Sequence, residues 1–98
     1  MLIRIVRMTF KEDKVEEFLD IFENSKKLIR TFPGCSYLEL HRDFTVKNIY
    51  ITFSKWKDEE ALNNYRNSKL FKEVWASTKV LFAAPPMAFS NMLADGPI

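Results

Sequence analysis

The sequence predicts an α+β domain with the element order β-α-β-β-α-β. Three observations carry that expectation. Runs rich in β-branched and aromatic residues alternate with segments whose apolar residues recur at helical spacing. Most boundaries bear a stop or cap signal. The length of 98 residues, 47% hydrophobic and 29% charged, suits one globular domain spanning 1–98.

Leu2 to Phe10 reads as the first strand, with Arg4 and Arg7 among large apolar residues. Asp13 offers an N-cap with Glu16 three residues on, the spacing of a capping box. Val15, Phe18, Leu19, Phe22, Ile29 and Phe32 follow at helical spacing, so a long helix runs to about Arg30. Phe32-Pro33-Gly34 ends it, since proline cannot continue the ladder and glycine permits a left-handed turn. Cys35 to Arg42 is the second strand. Asp43-Phe44-Thr45 makes a hairpin connection, and Val46 to Trp56 is the third strand. Asp58 caps a helix carrying Ala61, Leu62 and Tyr65. Ser68 caps another carrying Leu70, Phe71, Val74 and Trp75. Ala83-Ala84-Pro85-Pro86 breaks that helix, and Met87 to Leu93 is the last strand. This is the split βαβ pattern of ferredoxin-like folds: an antiparallel four-stranded sheet with helices on one face.

The strands predict more. Ile49, Ile51 and Phe53 point one way; Tyr50, Thr52, Ser54 and Trp56 point the other. Both faces of the sheet carry large apolar groups, but the helices cover only one. A second copy of the chain, sheet against sheet, is the economical cover, so a homodimer is expected.

Composition excludes several functions. A net charge of +2 argues against nucleic acid or an anionic membrane as partner. No apolar run reaches the ~20 residues that span a bilayer, and no signal peptide is evident, so a cytoplasmic protein is expected. One cysteine and one histidine cannot build a His/Cys metal constellation within one chain. The spacing of Cys35 and His41 puts both on one strand face, too far apart to share an ion. Two glycines make no phosphate-binding loop. His41 is the only imidazole, the side chain suited to proton transfer at neutral pH, although strand ends beside hairpins are usually solvated. Arg4 and Arg7 lie on opposite strand faces, so one of them points inward, although a rim position is arginine's commoner fate.

Two stretches resemble a known family. Phe32-Pro33-Gly34-Cys35 is similar to its Pro-Gly before strand two. Trp56-Lys57-Asp58-Glu59-Glu60-Ala61-Leu62 is very similar to its tryptophan-ended strand and helix start. With the element order, these resemble the antibiotic biosynthesis monooxygenase (ABM) domain family of dimeric α/β barrels. The resemblance implies a cavity between sheet and helices. In the family's cofactor-free oxygenases a phenol or hydroquinone anion reduces oxygen itself, and the protein supplies an apolar pocket, orientation and proton handling. Carried onto this chain, the resemblance implies catalytic roles for Trp56, as wall and indole donor, and for Tyr65, as holder of the substrate oxygen. Tyr50, Thr52, Phe71, Trp75 and His41 are candidate substrate-binding residues for a small aromatic or carbonyl ligand. No cofactor and no metal is expected.

Departures are visible too. Many members carry histidine where this chain has Tyr65 and Leu70, and one branch has asparagine where Thr52 stands. The haem-degrading branch needs a histidine near Trp75 and an asparagine near Val6, so haem degradation is not expected. Packing alone is the competing reading of each aromatic, and a non-catalytic, ligand-binding or structural homodimer is the alternative function.

Overall fold

The computed structural model describes residues 1–97. Eight-residue strand β1 (Leu2–Thr9) leads through a 3-10 turn at Glu12–Lys14 into helix α1 (Val15–Arg30). Strands β2 (Cys35–Arg42) and β3 (Ile49–Trp56) follow, then helices α2 (Glu59–Arg66) and α3 (Lys69–Lys79), then strand β4 (Met87–Asn91). The sheet order is β2-β3-β1-β4, with every neighbouring pair antiparallel. The ferredoxin-like α+β expectation holds.

Local chemistry explains most boundaries. The Asp58 carboxylate accepts from Ala61 N at 2.8 Å and the Ser68 hydroxyl from Phe71 N at 3.1 Å, so both expected caps form. Gly34 adopts φ +91°, and an added Cβ would lie 2.4 Å from Ala61 Cβ. Glycine is therefore required twice over, by backbone conformation and by the close approach of α2.

Four expectations are corrected. The capping box at Asp13 does not form: Asp13 sits in the 3-10 turn, and α1 starts after Lys14 with no side-chain cap. The third strand starts at Ile49 rather than Val46, because Asp43 Oδ2 accepts from Thr45 N and Val46 N and holds the connection in a longer turn. The last strand ends at Asn91. Cys35 and His41 do not share a face: a β-bulge between Cys35 and Tyr37 shifts the register, sending Cys35 toward the helices and Tyr37, Glu39 and His41 away from them.

The helices cover one face of the sheet and pack into two buried clusters. One joins Ile29, Leu38, Trp56, Ala61, Leu62 and Tyr65. The other joins Met8, Phe10, Phe18, Tyr50 and Leu81. The remaining face carries Ile5, Ile51 and Phe53, with half-exposed Met87 and Phe89 on the β4 edge.

Candidate functional site

A cavity of about 310 Å³ lies between the sheet and the helices, lined from both clusters. Strand alternation sets its floor. Arg4, Val6 and Met8 of β1 and Thr52, Ser54 and Trp56 of β3 face the helices, because even positions of these paired strands share a side. Helical spacing sets its roof: Tyr65 and Arg66 end α2, and Phe71 and Trp75 lie one turn apart on α3.

The aromatic wall is continuous. Trp56 stacks on Tyr65 at 4.8 Å between ring centroids, Tyr65 meets Phe71 edge-on at 5.2 Å, and Phe71 stacks on Trp75 at 5.7 Å. Such contacts add to the burial of large apolar rings. Trp56, only 1% exposed, thus does both jobs that the sequence left open: it packs the strand–helix corner and its inner surface lines the cavity. Its indole N–H, however, donates to Ser54 Oγ at 3.0 Å. The expected donation to a ligand is therefore already taken within the protein.

The other polar groups divide into spent and available. Ser25 and Thr78 return their hydroxyls to carbonyls of their own helices, at 2.7 Å each. The hydroxyls of Thr52 and Tyr65 have no hydrogen-bond partner among the described residues, and no fully buried side-chain oxygen or nitrogen lacks one. Both hydroxyls therefore reach accessible space, and both residues line the cavity. Burial, and secondarily Cys35, pushes the Tyr65 phenol well above the usual tyrosine pKa. Tyr65 is consequently a hydrogen-bonding phenol at neutral pH and not a base.

The structure gathers Trp56, Tyr65, Thr52, Phe71 and Trp75 around the cavity and leaves two candidates outside it. Tyr50 is buried in the second cluster, tilted against Phe10 and Phe18. His41 lies on the opposite face of the sheet, paired with Glu39 and stacked on Phe53 at 6.2 Å. The carboxylate of Glu39 also accepts from the Tyr37 hydroxyl, and these two partners hold it below the usual carboxylate range. Arg4 and Arg66 are the residues that sequence reasoning did not place. The signal for Arg4 was its position among Val6 and Met8 on the apolar side of β1; Arg66 had none, since an arginine ending a helix is ordinary.

Among the described residues no three metal-binding side chains cluster, and no helix is long and apolar enough to cross a membrane.

Comparison with known proteins places this geometry. Two curated relatives match: Uncharacterized protein sll1783 of Synechocystis sp., 29% identical over 76% of this chain, and Putative monooxygenase YcnE of Bacillus subtilis, 27% identical over 87% of this chain and 90% of its own length. The chain spans about half, 51%, of the Synechocystis protein. The fold superposes on the solved structure of Putative antibiotic biosynthesis monooxygenase from Nitrosomonas europaea with a TM-score of 0.89, at 14% identity, covering 97% of this chain and 100% of that one. A conserved protein from Methanosarcina mazei gives 0.87 at 22% identity, covering 93% and 91%. The antibiotic biosynthesis monooxygenase family model matches residues 1–77, a span that takes in the cavity floor and the aromatic wall, and the chain belongs to that family.

Proposed function

We propose that the protein is a cofactor-independent, monooxygenase-type enzyme that takes a small phenolic or carbonyl metabolite into the cavity between sheet and helices. One observation carries this reading: an apolar cavity walled by stacked aromatic rings, with unspent hydroxyls on Thr52 and Tyr65. Its volume of about 310 Å³ is at the small end of ligand sites, so a ligand of one to a few rings suits it. Flat rings match the wall, and Thr52 and Tyr65 orient a ligand oxygen. Exclusion of water would favour reaction of an electron-rich ligand anion with dioxygen over side reactions.

A specific observation supports the second reading, a non-catalytic ligand-binding dimer. Among the described residues the cavity lining has no histidine or carboxylate, and Tyr65 cannot serve as base near neutrality. Under either reading we expect two copies to pair through their uncovered sheet faces.

Tryptophan fluorescence titrated with hydroquinones of increasing ring number tests the site. Saturable quenching that weakens several-fold in Trp75→Phe is expected, because Trp75 lines the cavity. Oxygen uptake with the quenching ligand then separates the two readings. Turnover above the uncatalysed rate, reduced in Tyr65→Phe, supports the enzyme. Binding without uptake leaves the ligand-binding dimer, and no quenching removes both.

A further inference from the structure

Among the described residues, the cavity is lined by two cations and no anion. Arg4 comes from the middle of β1 and Arg66 from the last turn of α2, and both line the cavity, which no aspartate or glutamate does. Among the described residues the ion pairs lie elsewhere, joining Arg7 to Asp43, Lys26 to Glu23, His41 to Glu39 and Lys69 to Glu73. Among the described residues, the two guanidiniums bond to neutral groups. Arg4 Nη1 donates to Ser90 Oγ at 2.9 Å, and Arg66 Nη2 donates to the Asn63 side-chain oxygen. A guanidinium carries five N–H donors, so most remain unused.

The charge of Arg66 also reaches Arg4. Arg4 is held below the ordinary arginine pKa, first by burial and then by the charge of Arg66. Like charges beside an apolar wall are unfavourable, and an anion placed between them would relieve that repulsion. Among the described residues, Tyr65 is the only other titratable one lining the cavity, and its phenol stays protonated at neutral pH. A ligand can therefore become an anion here with no protein base, provided its conjugate base is stabilised more than its acid.

We propose that Arg4 and Arg66 form an oxyanion site that binds the ionised hydroxyl of a phenolic ligand, so that the phenol ionises on binding. This rests on the cavity being the ligand site. The phenolic O–H bond breaks, its electron pair stays on oxygen, and the proton passes to solvent water; no oxidant or reductant takes part. The ring lies against the aromatic wall while the oxygen meets the guanidiniums, which supply charge-assisted hydrogen bonds.

The probe is 4-nitrophenol, whose anion absorbs in the visible while the neutral phenol does not. It is titrated into the whole protein about one pH unit below its solution pKa, with 4-nitroanisole, which cannot ionise, as the control measured by calorimetry. The expected result is saturable growth of the anion band, with the bound dye's pKa lowered by about 1–3 units. Arg4→Gln and Arg66→Gln should each remove at least half of that shift and leave 4-nitroanisole affinity within about twofold. If 4-nitrophenol binds without ionising, or the shift survives Arg66→Gln, the oxyanion site is overturned and the cavity reading stands. If neither compound binds, both fail. Circular dichroism checks each variant, and Arg66→Gln, at the end of a helix, carries the test should Arg4→Gln not fold.

Discussion

Tyr65 joins packing to chemistry in one side chain. It is buried between Trp56, Phe32 and Phe71, yet its hydroxyl reaches the cavity. Its phenol pKa is raised in the folded protein, so the folded state holds this proton more tightly than the unfolded chain does. The resulting stability is fully present below the unfolded tyrosine pKa of about 10 and is lost as pH rises through the folded value. Alkaline denaturation followed by circular dichroism should therefore begin above about pH 10, and Tyr65→Phe should flatten that limb while leaving a site-sized effect on ligand binding. Gly34 makes a second prediction at this scale. Gly34→Ala combines a left-handed backbone with a Cβ 2.4 Å from Ala61 Cβ, and should lower stability by about 1–3 kcal/mol in urea unfolding. The sequence made Gly34 legible through its Phe32-Pro33-Gly34 context. It did not make the Trp56 indole bond to Ser54 legible, because a hydrogen bond between two residues on one strand face depends on rotamers that periodicity does not reveal.

At the scale of elements, the caps were readable and the irregularities were not. Asp58 and Ser68 announce α2 and α3 because a side-chain acceptor before an apolar-periodic run has one common use. Asp58→Ala and Ser68→Ala should each cost about 0.5–2 kcal/mol by chemical denaturation, and about the sum together if the two helices respond independently. Asp13 presented the same signal and took no such role, since the chain spends that segment on a 3-10 turn. The bulge in β2 was hidden for a different reason. Cys35, Tyr37 and His41 keep an unbroken period of two in sequence, and only pairing against β3 exposes the extra residue. That one insertion moves His41 out of the cavity's reach and turns Cys35 toward the core. Burial, the leading influence, holds the Cys35 thiol above the usual cysteine pKa, partly offset by the Tyr37 carbonyl and Arg30. Iodoacetamide should accordingly label native protein at neutral pH far more slowly than protein in denaturant, as read by intact mass.

At the scale of the molecule, the sheet separates two surfaces with different tasks. The helix-covered side encloses the cavity; the other side sets Ile5, Ile51 and Phe53 beside Glu39, His41 and Lys55, with no helix over them. Apolar residues on both faces were legible in the sequence, but not which face the helices leave uncovered. That depended on where the crossovers put the helices. Phe53 lies near the centre of the uncovered face, with His41 stacked on it and Tyr37 edge-on at 6.2 Å. An arginine there would place a charge where an isologous pair needs apolar contact, and two-fold symmetry would present it twice. Sedimentation of the wild-type protein at micromolar concentration should give twice the 11.6 kDa chain mass, and Phe53→Arg should shift it toward one chain. Because Phe53 and the cavity lie on opposite sides of the sheet, ligand quenching of tryptophan fluorescence should survive in the variant if each subunit's site is complete by itself. Quenching lost together with the dimer would mean instead that pairing holds the cavity in shape. A wild-type monomer under these conditions would overturn the pairing and leave the apolar face to another partner.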